Sequence, residues 1–278
     1  MTQPAVTFQV RQLEEQFNTR LFDRTHNRIS LTEAGQRVLK YADQIFVLYS
    51  EMDNAVRELT GDVSGVLMLG ASTTIAEYML PVLLGDFKTE YPDITIRLKV
   101  SNTDGIVSQV ENNTIDLGVV EAPVNNKNLV VEKCRTDHLV LIAPPGHELA
   151  GERVVPLQKV TDYPFICREE GSGTREVMIE SMEKAGMAAN SLQVAMELGS
   201  LEAIKGAVEA GMGISILSSA TIQKELRLGS LVAVQLDPPI DRPFSFVHQK
   251  QKFRVRAMDE LLTFARNYCK SHQDHPQG

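Results

Sequence analysis

The chain has 278 residues, of which 43% are hydrophobic and 23% charged, as in globular proteins that bury a core in one or two domains. Its formal net charge of −8 at pH 7 argues at first sight against a nucleic-acid partner. No apolar run approaches the roughly 20 residues that span a bilayer, and the chain begins without an apolar signal segment, so we expect a cytoplasmic protein with no membrane partner.

The charge is distributed unevenly along the sequence. Residues 1–40 contain six Arg and Lys against four Asp and Glu, an excess of two positive charges, which leaves the remainder with an excess of ten negative charges. A slightly basic head on an acidic body is compatible with a small DNA-reading module attached to a larger domain.

The first elements are a helix, a small hairpin and a long helix. Apolar residues recur on one face from Ala5 to Phe17, and two short apolar ends then flank a polar tip at Asn27. Thr32 offers an N-cap for a helix that runs to about Leu59, where Thr60 and Gly61 end it.

The long helix carries an apolar seam. Its apolar residues follow one another in alternating steps of three and four, a spacing typical of a coiled coil. We therefore expect two chains to pair there as a homodimer, and a homotetramer is the further expectation; the alternative is an amphipathic helix packed on its own domain. The seam comprises Leu31, Ala34, Val38, Tyr41, Ile45, Leu48, Met52, Ala55 and Leu59.

From Gly65 onward, short apolar strands alternate with helices. This alternation predicts an α/β fold with a mostly parallel sheet covered on both faces. Two similar sets of elements and a late return to the first predict two lobes with a cleft between them. The predicted strands are GVLMLGAS, ITIRLKVS, IDLGVVEA, LVLIAPP, PFICRE, LQVAMEL, GISILS, LVAVQL and DRPFSFVHQK, and the predicted helices include one through Tyr78 to Tyr91, one from about Gly105, those opened by GSGTRE and GSLEA, and a last one from Arg254 to Lys270.

The N-terminal segment resembles the latter part of the winged helix-turn-helix of LysR-type transcriptional regulators. The family pattern of S/T-Q-P-A, a helix with L-E-x-x, then L-F-x-R and L-T-x-A-G is matched within residues 2–35. The likeness extends to about Lys270 and includes GSLEAIKGAVEAGMGISILS. Within the family, the chain is similar to regulators of sulfur and carbon assimilation.

The resemblance implies a domain order. A partial winged helix-turn-helix would cover residues 1–31, and a linker and dimerisation helix residues 32–60. A two-lobed, periplasmic-binding-protein-like effector domain would follow, with lobe 1 at 65–141 and 243–270 and lobe 2 at 142–242.

In the family, the helix that begins S/T-Q-P-A follows one whole helix and most of another. The resemblance therefore implies that the head is truncated. Val6, Val10, Leu13 and Phe17 would then lack packing partners. We expect such a chain to bind its operator poorly while it still dimerises.

Six residues are candidates for DNA contacts. The start of the first helix would lie in the major groove, with Gln3, Pro4, Thr7 and Arg11 near bases or phosphates. An ordinary capped helix start is the alternative on spacing alone. Arg24 and Arg28 would be hairpin contacts to the DNA backbone or minor groove, although Arg24 also fits a structural role that ties the hairpin to the helix.

Small hydroxyl and glycine residues concentrate at the strand-to-helix junctions GASTTIAEY, EEGSGTREV and ELGSLEAIK, and a fourth segment, SNTDG, follows the second strand. Helix N-termini carry unsatisfied N–H groups, and Ser and Thr add donors, so these junctions together predict an anion site in the cleft. For each residue alone, simple capping is the alternative. The candidates are Ser72, Thr73, Thr74, Ser101, Asn102, Ser172, Thr174, Arg175 and Ser200.

Arg175 has two readings in this site. It is able to pair with a carboxylate or oxyanion of a ligand, or to be neutralised by Glu176 or Glu121. The Gly pattern of GSGTRE fits neither the dinucleotide fingerprint nor the P-loop, so we expect no nucleotide cofactor.

Enzyme and metal interpretations find little support. The six histidines have no metal-site spacing, and no G-x-S-x-G elbow occurs. The three cysteines are far apart, which predicts reduced thiols. A Cys167 nucleophile remains open beside the more ordinary interpretation, a buried inert thiol in an apolar strand.

The leading hypothesis is a non-enzymatic, effector-responsive transcriptional regulator. Its partners would be operator DNA and a small anion held between the lobes. Closure of the lobes around the anion would then change how the N-terminal segments of the oligomer bind DNA. The alternatives are a free-standing solute-binding domain and a DNA-incompetent subunit that dimerises with a full-length regulator.

Overall fold

The structure, a computed structural model, describes residues 3–25, 28–58, 64–250 and 256–271. It divides into two compact units, one that ends at Met52 and one that begins at Asp53. In the described part of the chain, no helix is long and apolar enough to cross a membrane.

The first unit contains the predicted helix, hairpin and start of the long helix. The antiparallel hairpin is confirmed, with Phe22 opposite Leu31, and its predicted tip at Asn27 lies outside the described residues. Thr32 caps the long helix as predicted, because its Oγ1 accepts a hydrogen bond from Gly35 N at 3.0 Å. The elements are α1 (Gln3–Gln16), β1 (Phe22–Thr25), β2 (Arg28–Leu31) and α2 (Glu33–Glu58).

Glu14 joins α1 to the hairpin. Its carboxylate Oε1 accepts hydrogen bonds from the backbone N–H groups of Leu21 at 2.8 Å and Phe22 at 3.3 Å. Leu21 is the buried apolar residue beneath this joint. The periodicity of α1 gave no indication of this role, because Glu14 lies on the polar side of the apolar pattern.

Apolar side chains on α1 and α2 are exposed. Among the residues described, α1 buries no side chain, and Phe17 just beyond it is 49% exposed. Along the predicted seam, Tyr41, Ile45 and Leu48 are 63–66% exposed. The alternative of a helix that packs this face on its own chain is therefore not supported, while the side chain of Ala55 and all of Leu59 lie outside the described residues.

The second unit has the predicted alternation of strands and helices. The predicted helix through Tyr78 to Tyr91 is in fact two helices, one that ends at Tyr78 and one that begins at Leu80, where Pro81 in the first turn favours a new helix start. The elements are β3 (Gly65–Ser72), α3 (Thr73–Tyr78), α4 (Leu80–Glu90), β4 (Ile94–Ser101), α5 (Thr103–Glu111), β5 (Leu117–Val120), β6 (Leu129–Ala143), β7 (Val154–Pro156), β8 (Pro164–Arg168), α6 (Gly173–Lys184), β9 (Gln193–Leu198), α7 (Leu201–Glu209), β10 (Ser215–Ser218), α8 (Gln223–Leu228), β11 (Val232–Asp237), β12 (Ile240–Gln249) and α9 (Arg256–Ser271).

The main sheet is mixed, so the prediction of a mostly parallel sheet was wrong. Its order is β4-β3-β5-β12-β6-β11-β7, and β10 also pairs with β6. Strand β12 is antiparallel to both β5 and β6, because the chain returns through β12 from the second set of elements. Apolar patterning identifies strands but not their direction, which depends on the path between them.

The apolar core is divided into clusters that define two lobes. In the first lobe, one cluster joins β3, α4, β12 and α9, and another lies under α5. In the second lobe, the clusters join β6 and β10 to α6 and to α7. Strands β6 and β12 run through both lobes, so the boundaries predicted at 141–142 and 242–243 fall inside or beside continuous strands and stay predictions.

Candidate functional site

The candidate site is a buried polar cluster where the two lobes meet. Its centre is the carboxylate of Glu121, the residue directly after β5, which is 1% exposed. Ser72 Oγ donates to Glu121 Oε2 at 2.7 Å, and Thr74 Oγ1 donates to Oε1 at 3.2 Å. From the second lobe, Thr174 Oγ1 donates to the same Oε1 at 3.4 Å.

Arg242 completes the arrangement from β12. Its guanidinium Nη1 lies 3.3 Å from Glu121 Oε1 and donates to Thr174 Oγ1 at 2.8 Å, while Nε donates to Asp137 Oδ2 at 2.8 Å. Asp137 is the cross-strand partner of Arg242 in the β6–β12 ladder. We call this set the junction cluster: Ser72, Thr74, Glu121, Asp137, Thr174, Ser218, whose Oγ donates to Asp137 Oδ1 at 2.7 Å, and Arg242.

Hydrogen-bonding capacity at the junction exceeds what the described residues use. Arg242 Nη2 and the hydroxyl oxygens of Ser172 and Thr103 are buried and have no hydrogen-bond partner in the described part of the protein. Ser172 is the N-cap residue of α6, where the first N–H groups of the helix also lack acceptors within the helix. Buried polar groups are normally paired, so three orphans at one junction indicate a site for an additional acceptor.

Gly173 is required at the start of α6 by the closeness of the lobes. A Cβ at this position would lie 2.7 Å from Thr103 Oγ1 and 3.0 Å from Glu121 Cγ. Any larger residue would therefore push the start of α6 away from the junction cluster.

The structure brings some of the predicted effector residues together and separates others. Ser72, Thr74 and Thr174 meet in the junction cluster, and Ser172 lies beside it. Asn102 instead caps α5, and its Nδ2 donates to the carbonyl of Glu170 in the second lobe at 3.1 Å. Ser200 is an exposed cap of α7 that accepts from Ala203 N at 3.4 Å, while Thr73 and Ser101 are partly buried outside the cluster.

Arg175 has a partner that neither reading of the sequence anticipated. Its Nη1 pairs with Glu197 Oε2 at 2.6 Å and donates to the carbonyl of Arg168 at 3.1 Å. The neutralisation by Glu176 or Glu121 was therefore wrong. Strand β9 is parallel to β8 and places Glu197 opposite Cys167, near the start of α6, a pairing between strands that sequence spacing does not indicate.

A second polar contact joins the lobes at α3 and α7. Tyr78 OH donates to Glu202 Oε1 at 3.1 Å and accepts from Lys205 Nζ at 3.1 Å. Burial opposes the charge of Lys205, but hydrogen bonds to Glu202, Glu225 and Tyr78 outweigh it and raise the pKa of the ammonium. Lys205 is therefore charged at neutral pH and holds α7 against α3.

The cysteines differ from the prediction of three reduced thiols. Cys134 of β6 and Cys269 of α9 form a disulfide with a Cα–Cα distance of 5.4 Å. Their separation of 135 residues hid this pairing, which arises because α9 packs across β6 in the first lobe. Cys167 is a buried free thiol, and burial raises its pKa, which argues against a nucleophile at this position.

The predicted DNA-contacting residues of α1 share one surface. Gln3, Pro4, Thr7 and Arg11 surround a shallow depression together with Phe8, and Thr7 Oγ1 donates to the carbonyl of Gln3 at 3.0 Å. Arg24 and Arg28 lie in the hairpin strands, opposite Ile29 and Thr25 respectively, and their side chains lie outside the described part of the structure.

Three charged residues of the site were not predicted from the sequence: Asp137 and Arg242 were not considered, and Glu121 was considered only as a partner of Arg175. The sequence does contain a feature that points to two of them. Asp137 and Arg242 are charges next to or within apolar strand patterns, and a charge buried in a sheet requires an opposite charge nearby. Their partnership, however, depends on the β6–β12 register, which the sequence does not specify.

A head made of a helix, a two-stranded hairpin and a long helix, followed by two α/β lobes that meet at a polar junction, is the arrangement expected of a ligand-responsive DNA-binding regulator. The family model described as "LysR substrate binding domain" matches residues 60–270, and that described as "Bacterial regulatory helix-turn-helix protein, lysR family" matches residues 1–36. The chain belongs to the LysR family of transcriptional regulators.

Relatives of the chain include regulators named for RuBisCO. The chain is 35% identical over 276 residues to the RuBisCO operon transcriptional regulator of Allochromatium vinosum, covering 97% of this chain and 90% of that protein. It is also 35% identical over 263 residues to the probable RuBisCO transcriptional regulator of Cyanidium caldarium, covering 93% of this chain and 83% of that protein.

Solved structures show the same fold. The regulatory domain of CcmR from Synechocystis PCC6803, solved in complex with 2-PG, is 34% identical with a TM-score of 0.69, covering 74% of this chain and 98% of that one. CbnR, a LysR family transcriptional regulator, has a TM-score of 0.71 at 21% identity, covering 97% of this chain and 90% of that one, and its likeness concerns the fold alone.

Proposed function

We propose that this LysR-type regulator is controlled by a small oxyanion bound where the two lobes meet. The observation that carries the proposal is the convergence of Ser72, Thr74, Thr174 and Arg242 on a single carboxylate. These donors lie at 2.7 Å for Ser72 and at 3.2–3.4 Å for the other three, and such a convergent set suits the carboxylate or phosphate group of a ligand.

The chemistry of the orphaned groups supports the same proposal. Arg242 Nη2, Ser172 Oγ and the first turn of α6 all offer N–H or O–H groups, and α6 directs the positive end of its dipole toward the junction. CcmR, a relative with a matching regulatory domain, was solved with 2-PG, which makes 2-PG the first ligand to test. Oxyanion binding would change how the lobes close and thereby how the regulator sits on its operator.

The head and α2 would carry this change to DNA. In this proposal, Gln3, Pro4, Thr7 and Arg11 contact the operator from one face of α1, and Arg24 and Arg28 contact its backbone from the hairpin. The exposed seam of α2 pairs two chains into a homodimer, and two dimers form a tetramer. The names of the relatives suggest genes of carbon assimilation as targets.

Calorimetry with 2-PG, inorganic phosphate and sulfate tests the effector site on the full chain. Thr103→Val deletes a buried hydroxyl at the junction that has no partner among the described residues, with little change of shape. We expect it to weaken binding of the best anion by about 1.5 to 3 kcal/mol, or roughly tenfold to hundredfold, since a hydrogen bond to a charged group is lost.

Thr161→Val is the matched control, because it makes the same substitution at a hydroxyl that donates only to the nearby carbonyl of Gln158 among the contacts described. Its affinity should equal that of the parent. The proposal fails if no anion binds the parent at millimolar concentration, or if both variants bind as tightly as the parent.

A further inference from the structure

The junction cluster already contains an anion, and it belongs to the chain itself. The Glu121 carboxylate accepts from hydroxyls of both lobes and lies against Arg242. Its side chain is buried, so its position is set by these donors and not by solvent. Glu121 therefore occupies the place that the proposed effector site would give to the acidic group of a ligand.

The charges of the cluster argue against a second anion beside Glu121. Within the junction cluster, the single positive charge of Arg242 faces the two carboxylates of Glu121 and Asp137, which leaves one negative charge in excess. Like charges within a few ångströms in a buried site repel strongly. Asp137 is fixed by two bonds, from Arg242 Nε and Ser218 Oγ, and is the cross-strand partner of Arg242. Glu121 follows the end of its strand and is the carboxylate that is able to leave.

The orphaned donors indicate what kind of group displaces it. A planar carboxylate offers two oxygens, and with Glu121 in place Arg242 Nη2 and Ser172 Oγ remain without partners among the residues described. A tetrahedral oxyanion offers an additional oxygen in a third direction. Such a group is able to accept from the donors that Glu121 now uses and from these two as well.

We infer that Glu121 is an internal competitor of the effector, and that a ligand bearing a tetrahedral oxyanion binds by displacing its carboxylate from the junction cluster. The inference rests on the proposed function, because it concerns the same site. It adds a specificity rule: phosphate-type groups are favoured over simple carboxylates, which satisfy no more donors than Glu121 does.

Removal of the internal charge should tighten anion binding. Glu121→Gln keeps the size of the side chain but makes the charge of the cluster neutral, so inorganic phosphate no longer has to displace a charged competitor. We expect the variant to bind phosphate about tenfold more tightly than the parent by calorimetry, since bonds to a charged acceptor exceed those to a neutral amide. Glu180→Gln is the matched control: it changes the net charge equally from an exposed position on α6, where Glu180 pairs with Lys184, and it should leave the affinity unchanged.

If Glu121→Gln does not fold, two serine variants test whether the oxyanion displaces Glu121. Ser72 and Ser172 are equally buried, but Ser72 Oγ already donates to Glu121, whereas Ser172 Oγ has no partner among the described residues. Ser72→Ala removes a bond from both the empty and the occupied site, so phosphate affinity should change less than about threefold. Ser172→Ala removes a bond that exists only in the occupied site, and the affinity should fall about tenfold.

The outcomes separate this inference from the proposed function. Phosphate binding that is tighter in Glu121→Gln, with Ser172→Ala weaker than Ser72→Ala, supports the inference. Equal phosphate affinity in the parent and Glu121→Gln, or equal losses in the two serine variants, overturns it while the oxyanion site stands. Absence of binding to every one of these proteins overturns both.

Discussion

At the junction between the lobes, polar side chains are buried and paired, whereas along α1 and α2 apolar side chains are exposed. Most polar atoms of the junction cluster are paired within one chain; among the described residues, Arg242 Nη2 in the cluster and the hydroxyls of Ser172 and Thr103 beside it have no partner. Among the residues that the structure describes, the seam of α2 leaves Tyr41, Ile45, Leu48 and Met52 more than half exposed. We therefore expect the first region to bind a small polar ligand, and the second to bind an apolar macromolecular surface, such as the same seam of a second chain.

The largest expected effect concerns the stability of the junction. Arg242→Ala leaves Glu121 and Asp137 as buried carboxylates without a cation, and removal of one member of a buried ionic network costs about 3 to 5 kcal/mol. Urea denaturation should show this loss in the free energy of unfolding.

Arg266→Ala is the control for that experiment. Arg266 pairs with Glu132 at 2.7 Å, but its side chain is 49% exposed, so its removal should cost only about 0 to 1 kcal/mol. Equal losses for the two arginines would mean that the junction cluster contributes no more to stability than a surface ion pair.

A smaller effect is expected at α2, on association and not on folding. Ile45→Asp places a carboxylate in the exposed apolar seam, so two paired helices would bury two facing charges. We expect the dimer to weaken at least tenfold, about 1.4 kcal/mol, as measured by sedimentation equilibrium.

Ala42→Asp introduces the same charge at an exposed position of α2 outside the seam, and it should leave the dimer intact. If Ile45→Asp and Ala42→Asp sediment alike, the seam of α2 does not hold the two chains together.

The sequence predicted the elements better than their connections. Caps, strands and helix starts follow from local chemistry, so the cap at Thr32 and the hairpin were predicted correctly. Ser72, Thr74 and Thr174 do act as donors at helix starts, and their role in effector binding stays a prediction. The partners of these donors were not identified, because they come from distant segments. Whether Arg175 meets Glu197, or Cys134 meets Cys269, is decided by strand order and helix packing over the whole second unit.

The same distinction explains why the junction charges were overlooked. Asp137 and Arg242 become neighbours only through the register of β6 and β12, which are 105 residues apart along the chain at this pair. In a single sequence, a carboxylate such as Glu121 that ends a strand is indistinguishable from a surface residue. In the structure Glu121 is buried, and its carboxylate accepts hydrogen bonds from Ser72, Thr74 and Thr174, the donors that the sequence analysis had assigned to an external anion.

A crystal structure of the full chain with 2-PG tests the central claim most directly. We predict that 2-PG lies between the lobes, with oxygens within about 3 Å of Thr174 Oγ1, Ser172 Oγ and Arg242 Nη2, and that the Glu121 carboxylate has left Ser72 and Thr74. Bound 2-PG away from the junction, with Glu121 still held by Ser72, Thr74 and Thr174, would contradict the claim that the junction cluster is the effector site.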